Sequence, residues 1–172
     1  GIGSRVMQSL FLPAMAVAFS AAPMAGQNMG AGHLDRVRDT FKWAAIMGSI
    51  PMLLLTLICQ WRPDMLVQGF TQEAAVLAVA TEFLGTISWN FVASGLLFTC
   101  GGMFQALGNT VPSLIASGTR LLTFAVPVYW LSHRAGFQIK QVWYLSVLTM
   151  TMQAAFALWL LRSELQRKEM KM

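Results

Sequence analysis

The sequence predicts an all-α membrane protein, a polytopic helical bundle with about five transmembrane helices. Three observations carry this expectation. Residues 83–119 contain no Asp, Glu, Lys or Arg, and only the turn-like run Gln105-Ala106-Leu107-Gly108-Asn109-Thr110 interrupts them. A hydrocarbon core about 30 Å thick takes ~20 helical residues to cross, so this stretch reads as two crossings joined by a tight turn. Residues 6–32, 43–61 and 141–161 are free of the same four residue types. Finally, the chain is 56% hydrophobic and only 11% charged, against roughly 25% charged in a typical soluble domain.

The net charge of +5 would hint at nucleic acid in a soluble protein. Here the basic residues fall in short connections, where they set orientation and meet anionic lipid, so no nucleic-acid partner is expected. Cys59 and Cys100 lie in apolar segments and read as small buried hydrophobes, with no disulfide, metal or cofactor inferred from them. No ordered set of basic, apolar and cleavage regions marks a signal peptide.

The first span covers about residues 6–26. Pro13 and Pro23 predict a kink, while Ala14, Ala18, Ala22 and Gly26 form a thin stripe that lets another helix approach closely. The second, 43–61, has a Trp at each end, suited to the two interfaces, and Pro51 near its centre. Thr71 can cap a helix carrying Glu73 in its first turn, an interfacial lead-in to the third span at 81–104. Glu82 near the start of that span reads as an interfacial anchor or as an ion-coupling candidate. Pro112 opens the fourth span, 112–131, which holds Arg120 two turns inside and Pro127 further on. An arginine at that depth must face protein, water, a substrate or lipid, or snorkel to the surface. The fifth span, 141–161, leads into a charged tail, 162–172.

Five spans place the 32–42 loop and the tail on one side. That side carries seven Lys and Arg (Arg36, Arg38, Lys42, Arg162, Arg167, Lys168, Lys171) against four on the other (Arg5, Arg62, Arg134, Lys140). The positive-inside bias predicts a cytoplasmic C-terminus and an external start. The chain begins at Gly1 and meets its first span almost at once. It is therefore expected to be the C-terminal piece of a longer protein.

The segment Pro23-Met24-Ala25-Gly26-Gln27-Asn28-Met29-Gly30-Ala31-Gly32-His33-Leu34-Asp35-Arg36 resembles the G-Q-N-x-G-A-G turn of the multidrug and toxic compound extrusion (MATE) transporters. The order of kinked helix, interfacial lead-in, glycine turn before Pro112 and mid-helix Arg then Pro extends the resemblance over essentially the whole chain. It implies the eighth to twelfth helices of a twelve-helix antiporter in a bacterial-type inner membrane. A missing N-terminal lobe would complete it, and this lobe alone would not transport. Gly26, Gln27, Asn28, Gly30 and Gly32 would form a turn that shapes a gate or hinge and performs no chemistry.

Departures are informative. Many members carry R-G-x-G-D-T where this chain has Gln105 to Thr110, and a carboxylate used for cation coupling in some members falls near Ser94, which cannot titrate. Coupling to H⁺ or Na⁺ would then rest on Glu82 or on the missing portion. The implied function is efflux of amphipathic, often cationic, organic compounds. Adaptable Met and aromatic side chains suit such a site, and aromatic faces attract organic cations. The lining set is Met15, Phe19, Trp89, Asn90, Phe98 and Phe124, with Ser94 as a polar handle. A lipid-linked-oligosaccharide flippase of the same superfamily and a non-transporting scaffold stand as alternatives. An enzyme is disfavoured, because there is no H-E-x-x-H, no G-x-S-x-G and no clustered histidine: His33 and His133 fall in loops on opposite sides.

Overall fold

The computed structural model describes residues 2–69, 73–134 and 136–170, with all of their side chains except those of residues 2–7 and 10. Among these residues every regular element is a helix: α1 (Ile2–Gly30), α2 (Leu34–Trp61), α3 (Pro63–Gln68), α4 (Ala74–Ile87), α5 (Asn90–Ala106), α6 (Val111–Ser132) and α7 (Ile139–Glu169). Helices α2, α6 and α7 are long and apolar enough to cross a membrane, and the bent pair α4–α5 makes a fourth if it counts as one span. The expected span near the N-terminus corresponds to α1, which is not among those that meet this standard over the described residues.

The third expected span, 81–104, is not one helix. Helices α4 and α5 meet at Ser88 and Trp89 with a bend of 59°. Backbone groups freed by a break at membrane depth need partners from neighbouring helices, and α2 supplies them. The Thr56 hydroxyl reaches the Ser88 carbonyl at 3.0 Å, and the Gln60 amide donates to the Gly85 carbonyl at 2.6 Å and to the Ser88 hydroxyl oxygen at 2.8 Å. The lead-in differs as well: α4 starts at Ala74 with Glu73 at its N-cap rather than in its first turn, and Thr71 lies outside the described residues. Pro13 and Pro23 are carried inside α1, Pro51 inside α2 and Pro127 inside α6, without ending any of them.

Two glycine turns close one end of the bundle in the same way. Gly32 takes φ +76° and Gly108 φ +70°, the left-handed conformation that costs a residue with a Cβ about 1–2 kcal/mol. After α1 the Gly32 amide donates to the Met29 carbonyl and the His33 amide to Asn28; after α5 Gly108 donates to Gln105 and Asn109 to Phe104. Both are Schellman caps, which satisfy the last carbonyls of a helix. Asn109 adds an acceptor for the Val111 amide at 3.3 Å, starting α6. The expected turn over Gly26–Gly32 is thus shorter: Gly26, Gln27, Asn28 and Gly30 all belong to α1, and only Gly32 leaves the right-handed region.

The stripe on α1 packs against α5. A Cβ on Gly102 would sit 3.0 Å from the Ala18 carbonyl oxygen and 3.5 Å from the Ala22 Cβ, and Gly26 has Ala106 Cα 3.9 Å from its own Cβ position. On the α2 side, a Cβ on Gly95 would meet the Gly48 carbonyl oxygen at 3.2 Å. Small residues thus bring three backbones together where lipid supplies no hydrophobic drive to associate. Two buried clusters follow, one at the glycine-turn end around Val37, Cys100, Met103, Phe104 and Leu161, the other around Met52, Cys59, Val67, Leu84 and Phe91. Arg38 pairs with Glu169 at 2.6 Å, so the start of α2 and the end of α7 share the first of these ends.

Candidate functional site

On its side away from the tight packing, α5 presents Ser94, Phe98, Gly101 and Gln105, spaced i, i+4, i+7 and i+11, which is one face of a helix. Helix α6 answers with Ser113, Ser117, Arg120 and Phe124 at the same spacing, and α7 with Ser146, Met150, Gln153 and Ala157. Met15, Ala18 and Phe19 close the space from α1. Between these faces lies a cavity of about 400 Å³ that includes Met15, Phe19, Ser94, Phe98, Arg120, Met150 and Gln153. A second space of about 380 Å³ holds Phe11, Phe83, Asn90, Ser94, Arg120, Phe124, Trp143 and Ser146. A third, about 220 Å³, lies between α6 and α7 and again includes Arg120 and Gln153. These volumes lie at or near the lower end of the range for small-molecule sites, and apolar walls with a few polar groups are the usual lining.

The aromatic walls are ordered by edge-on contacts. Phe11 meets Phe91 with ring centroids 5.4 Å apart and Phe98 at 6.1 Å, while Phe83 meets Trp143 at 5.4 Å. The polar side chains are less complete. The Asn90 amide approaches Ser146 Oγ at 3.5 Å, and the Asn90 Oδ1, Gln153 Oε1 and Arg120 Nε atoms are buried with no hydrogen-bond partner among the described residues. Ser94 is spent on its own helix, donating to the Asn90 carbonyl at 2.8 Å.

Of the residues expected to line a site, Met15, Phe19, Ser94 and Phe98 come together in the largest of these spaces, and Asn90, Ser94 and Phe124 in the second. Arg120 joins them all. Trp89 does not: it stands at the α4–α5 bend, 61% exposed, and lines none of the three. Glu82 is also apart, its carboxylate in an ion pair with Lys140 at the far end of the bundle from the glycine turns. The structure adds Phe11, Trp143, Ser146, Met150 and Gln153 to the lining. The signal for the α7 members was present, since Ser146, Thr149 and Gln153 recur at i, i+3 and i+7 within an otherwise apolar run. Among the described residues no three His, Cys, Asp or Glu side chains gather in a way that could hold a metal ion.

Long apolar helices, glycine-mediated backbone contacts and a polar-studded cavity between spans define a helical integral membrane protein with room for a small molecule. Residues 1–131 match the MatE family, and the chain belongs to it. MatE proteins are transporters. The match ends within α6, so the α7 wall of the cavity lies beyond it. No curated protein matches the chain.

Proposed function

We propose that this chain forms part of a secondary active efflux transporter that exports amphipathic organic compounds in exchange for H⁺ or Na⁺. The observation that carries the reading is the cavity bounded by α1, α5, α6 and α7, with Met15, Met150, Phe19 and Phe98 as adaptable walls and Arg120, Gln153 and serines as polar handles. Flexible thioethers and aromatic faces accept ligands of varied shape, where a rigid polar lining would select one compound. Alternating access in such folds takes two halves moving about a shared site, so the chain works with a second lobe, with organic substrates and membrane lipid as its other partners and no organic cofactor. We place it in a bacterial-type inner membrane with the C-terminus in the cytoplasm. The Lys and Arg bias supports that orientation.

Glu82 is a poor ion-coupling group on this reading. A carboxylate already neutralised by Lys140 and half exposed at the bundle end has little to gain from a transported cation. Coupling then falls to the second lobe.

The test is dye export from cells expressing the whole protein, with H⁺ and Na⁺ gradients imposed in turn. Gradient-driven loss of an amphipathic dye above empty-vector cells is the expected result. Export at the empty-vector level under both gradients, with the protein present in the membrane, would overturn the proposal.

A further inference from the structure

Arg120 is a membrane-depth cation with no acid to answer it. It lies about 14 Å along α6 from Val111, and a guanidinium keeps its charge in any protein environment. The ion pairs among the described residues join Arg38 to Asp35 and Glu169, Arg62 to Asp64, Lys140 to Glu82 and Arg167 to Glu164. None includes Arg120. All three cavities described above include it, and among the described residues no Asp or Glu lines any of them.

The unpartnered atoms set what a ligand here has to offer. Arg120 Nε is a buried donor without an acceptor; Asn90 Oδ1 and Gln153 Oε1 are buried acceptors without donors, and Asn90 is only 3% exposed. Buried polar groups are costly unless bonded, and an uncompensated charge among lipid-facing helices more so. A ligand that fits must bring anionic oxygens for the guanidinium, which binds carboxylate and phosphate through two parallel hydrogen bonds. It must also bring a hydrogen-bond donor beside them for one amide oxygen, that of Asn90 in the 380 Å³ space or that of Gln153 in the other two. Its body must be apolar, to lie along Phe11, Phe124 and Met150.

We infer that the Arg120 cavity binds acidic amphiphiles, a carboxylate or phosphate head flanked by a hydroxyl or amide N–H on an apolar tail. This deepens the efflux reading, on which it rests, by assigning the charge of the substrate this lobe prefers. It reverses the sign expected from the sequence, because a fixed positive charge with no acid in the lining repels organic cations. Two sources carry this chemistry: a soluble acyl amino acid or hydroxy acid, and an anionic lipid with a glycerol head.

The test measures binding, so its failure and a failure of export are separate results. The whole protein in phosphatidylcholine nanodiscs is titrated with N-decanoyl-serine, its methyl ester and decyltrimethylammonium. The acid is expected to bind tenfold or more tighter than either analogue, a preference that Arg120→Lys keeps in part and Arg120→Gln abolishes. Equal binding of all three by the wild-type protein overturns the inference whatever the variants do. So does an unchanged acid preference in Arg120→Gln of wild-type helicity. Repeating the titration in phosphatidylglycerol discs at high salt, where surface charge is screened, separates the sources. Loss of acid binding there assigns the site to the lipid head and retention assigns it to the soluble acid, and either result supports an anion site at Arg120.

Discussion

Helix α5 has two sides that solve opposite problems. Towards α1 and α2 it uses Gly95 and Gly102, so that backbone meets backbone and almost no space remains. Towards α6 and α7 it uses Ser94, Phe98 and Gln105, and space is kept. One helix is therefore both a structural wedge and a cavity wall. The contrast teaches that small residues join α1, α2 and α5 into a frame on which α7 packs at the glycine-turn end through Leu161, and that side chains on the other face of α5 set the chemistry of the space left beside it.

The strongest way to break the comparison is to fill the tight side. Gly102→Val puts its Cβ 3.0 Å from the Ala18 carbonyl oxygen. A backbone atom cannot swing aside, so overpacking should cost about 2–3 kcal/mol, read as a large drop in the melting temperature in detergent. Gly101→Ala meets nothing within 4 Å and serves as the control, with melting close to wild type. Gly108→Ala should cost less, about 1–2 kcal/mol, since it strains only the left-handed residue of one cap. Gln105→Phe, at an exposed position on the open side, should leave melting within about 1 kcal/mol yet reduce dye export, because the ring enters the space shared by Arg120 and Phe98. The smallest effect is expected from Glu82→Gln. Both partners of that ion pair are half exposed, and water screens such surface pairs so that they contribute little to stability. Its ion dependence of export should match the parent, and a lost Na⁺ or H⁺ dependence would restore Glu82 as a coupling group.

The two sides were not equally legible in the sequence. The spacing of Ala14, Ala18, Ala22 and Gly26 gave away the tight side, because close helix contact needs small residues and little else can replace them. Uncharged runs marked the membrane segments for a similarly direct reason, the cost of a charge in hydrocarbon. The break at Ser88 and Trp89 left no such mark. Neither residue is Pro or Gly, and the bend is held by Thr56 and Gln60, partners that only the fold brings near. Gly26 and Gly30 misled in the other direction, since a glycine permits a turn without forcing one, and α1 simply continues through both.

The cavity was half visible. Met15, Phe19, Ser94 and Phe98 could be placed because their helices carried other landmarks, whereas Ser146 and Gln153 mark one face of an apolar α7 without showing which helices that face meets. Arg120 stood out as an ionisable residue within a span, but the absence of an acid around it is a property of four helices together. Trp89 has the chemistry of a lining residue, but it stands exposed at the bend, away from the space.

Dye-export profiling of lining and non-lining variants therefore tests the central claim most directly. With export normalised to the amount of protein in the membrane, Phe124→Ala and Phe98→Ala should shift the ranking of exported amphiphiles, by about tenfold for the most affected compounds, while Trp89→Ala leaves the ranking unchanged. A parental ranking in both Phe variants together with an altered one in Trp89→Ala would place the substrate outside the cavity that α1, α5, α6 and α7 enclose.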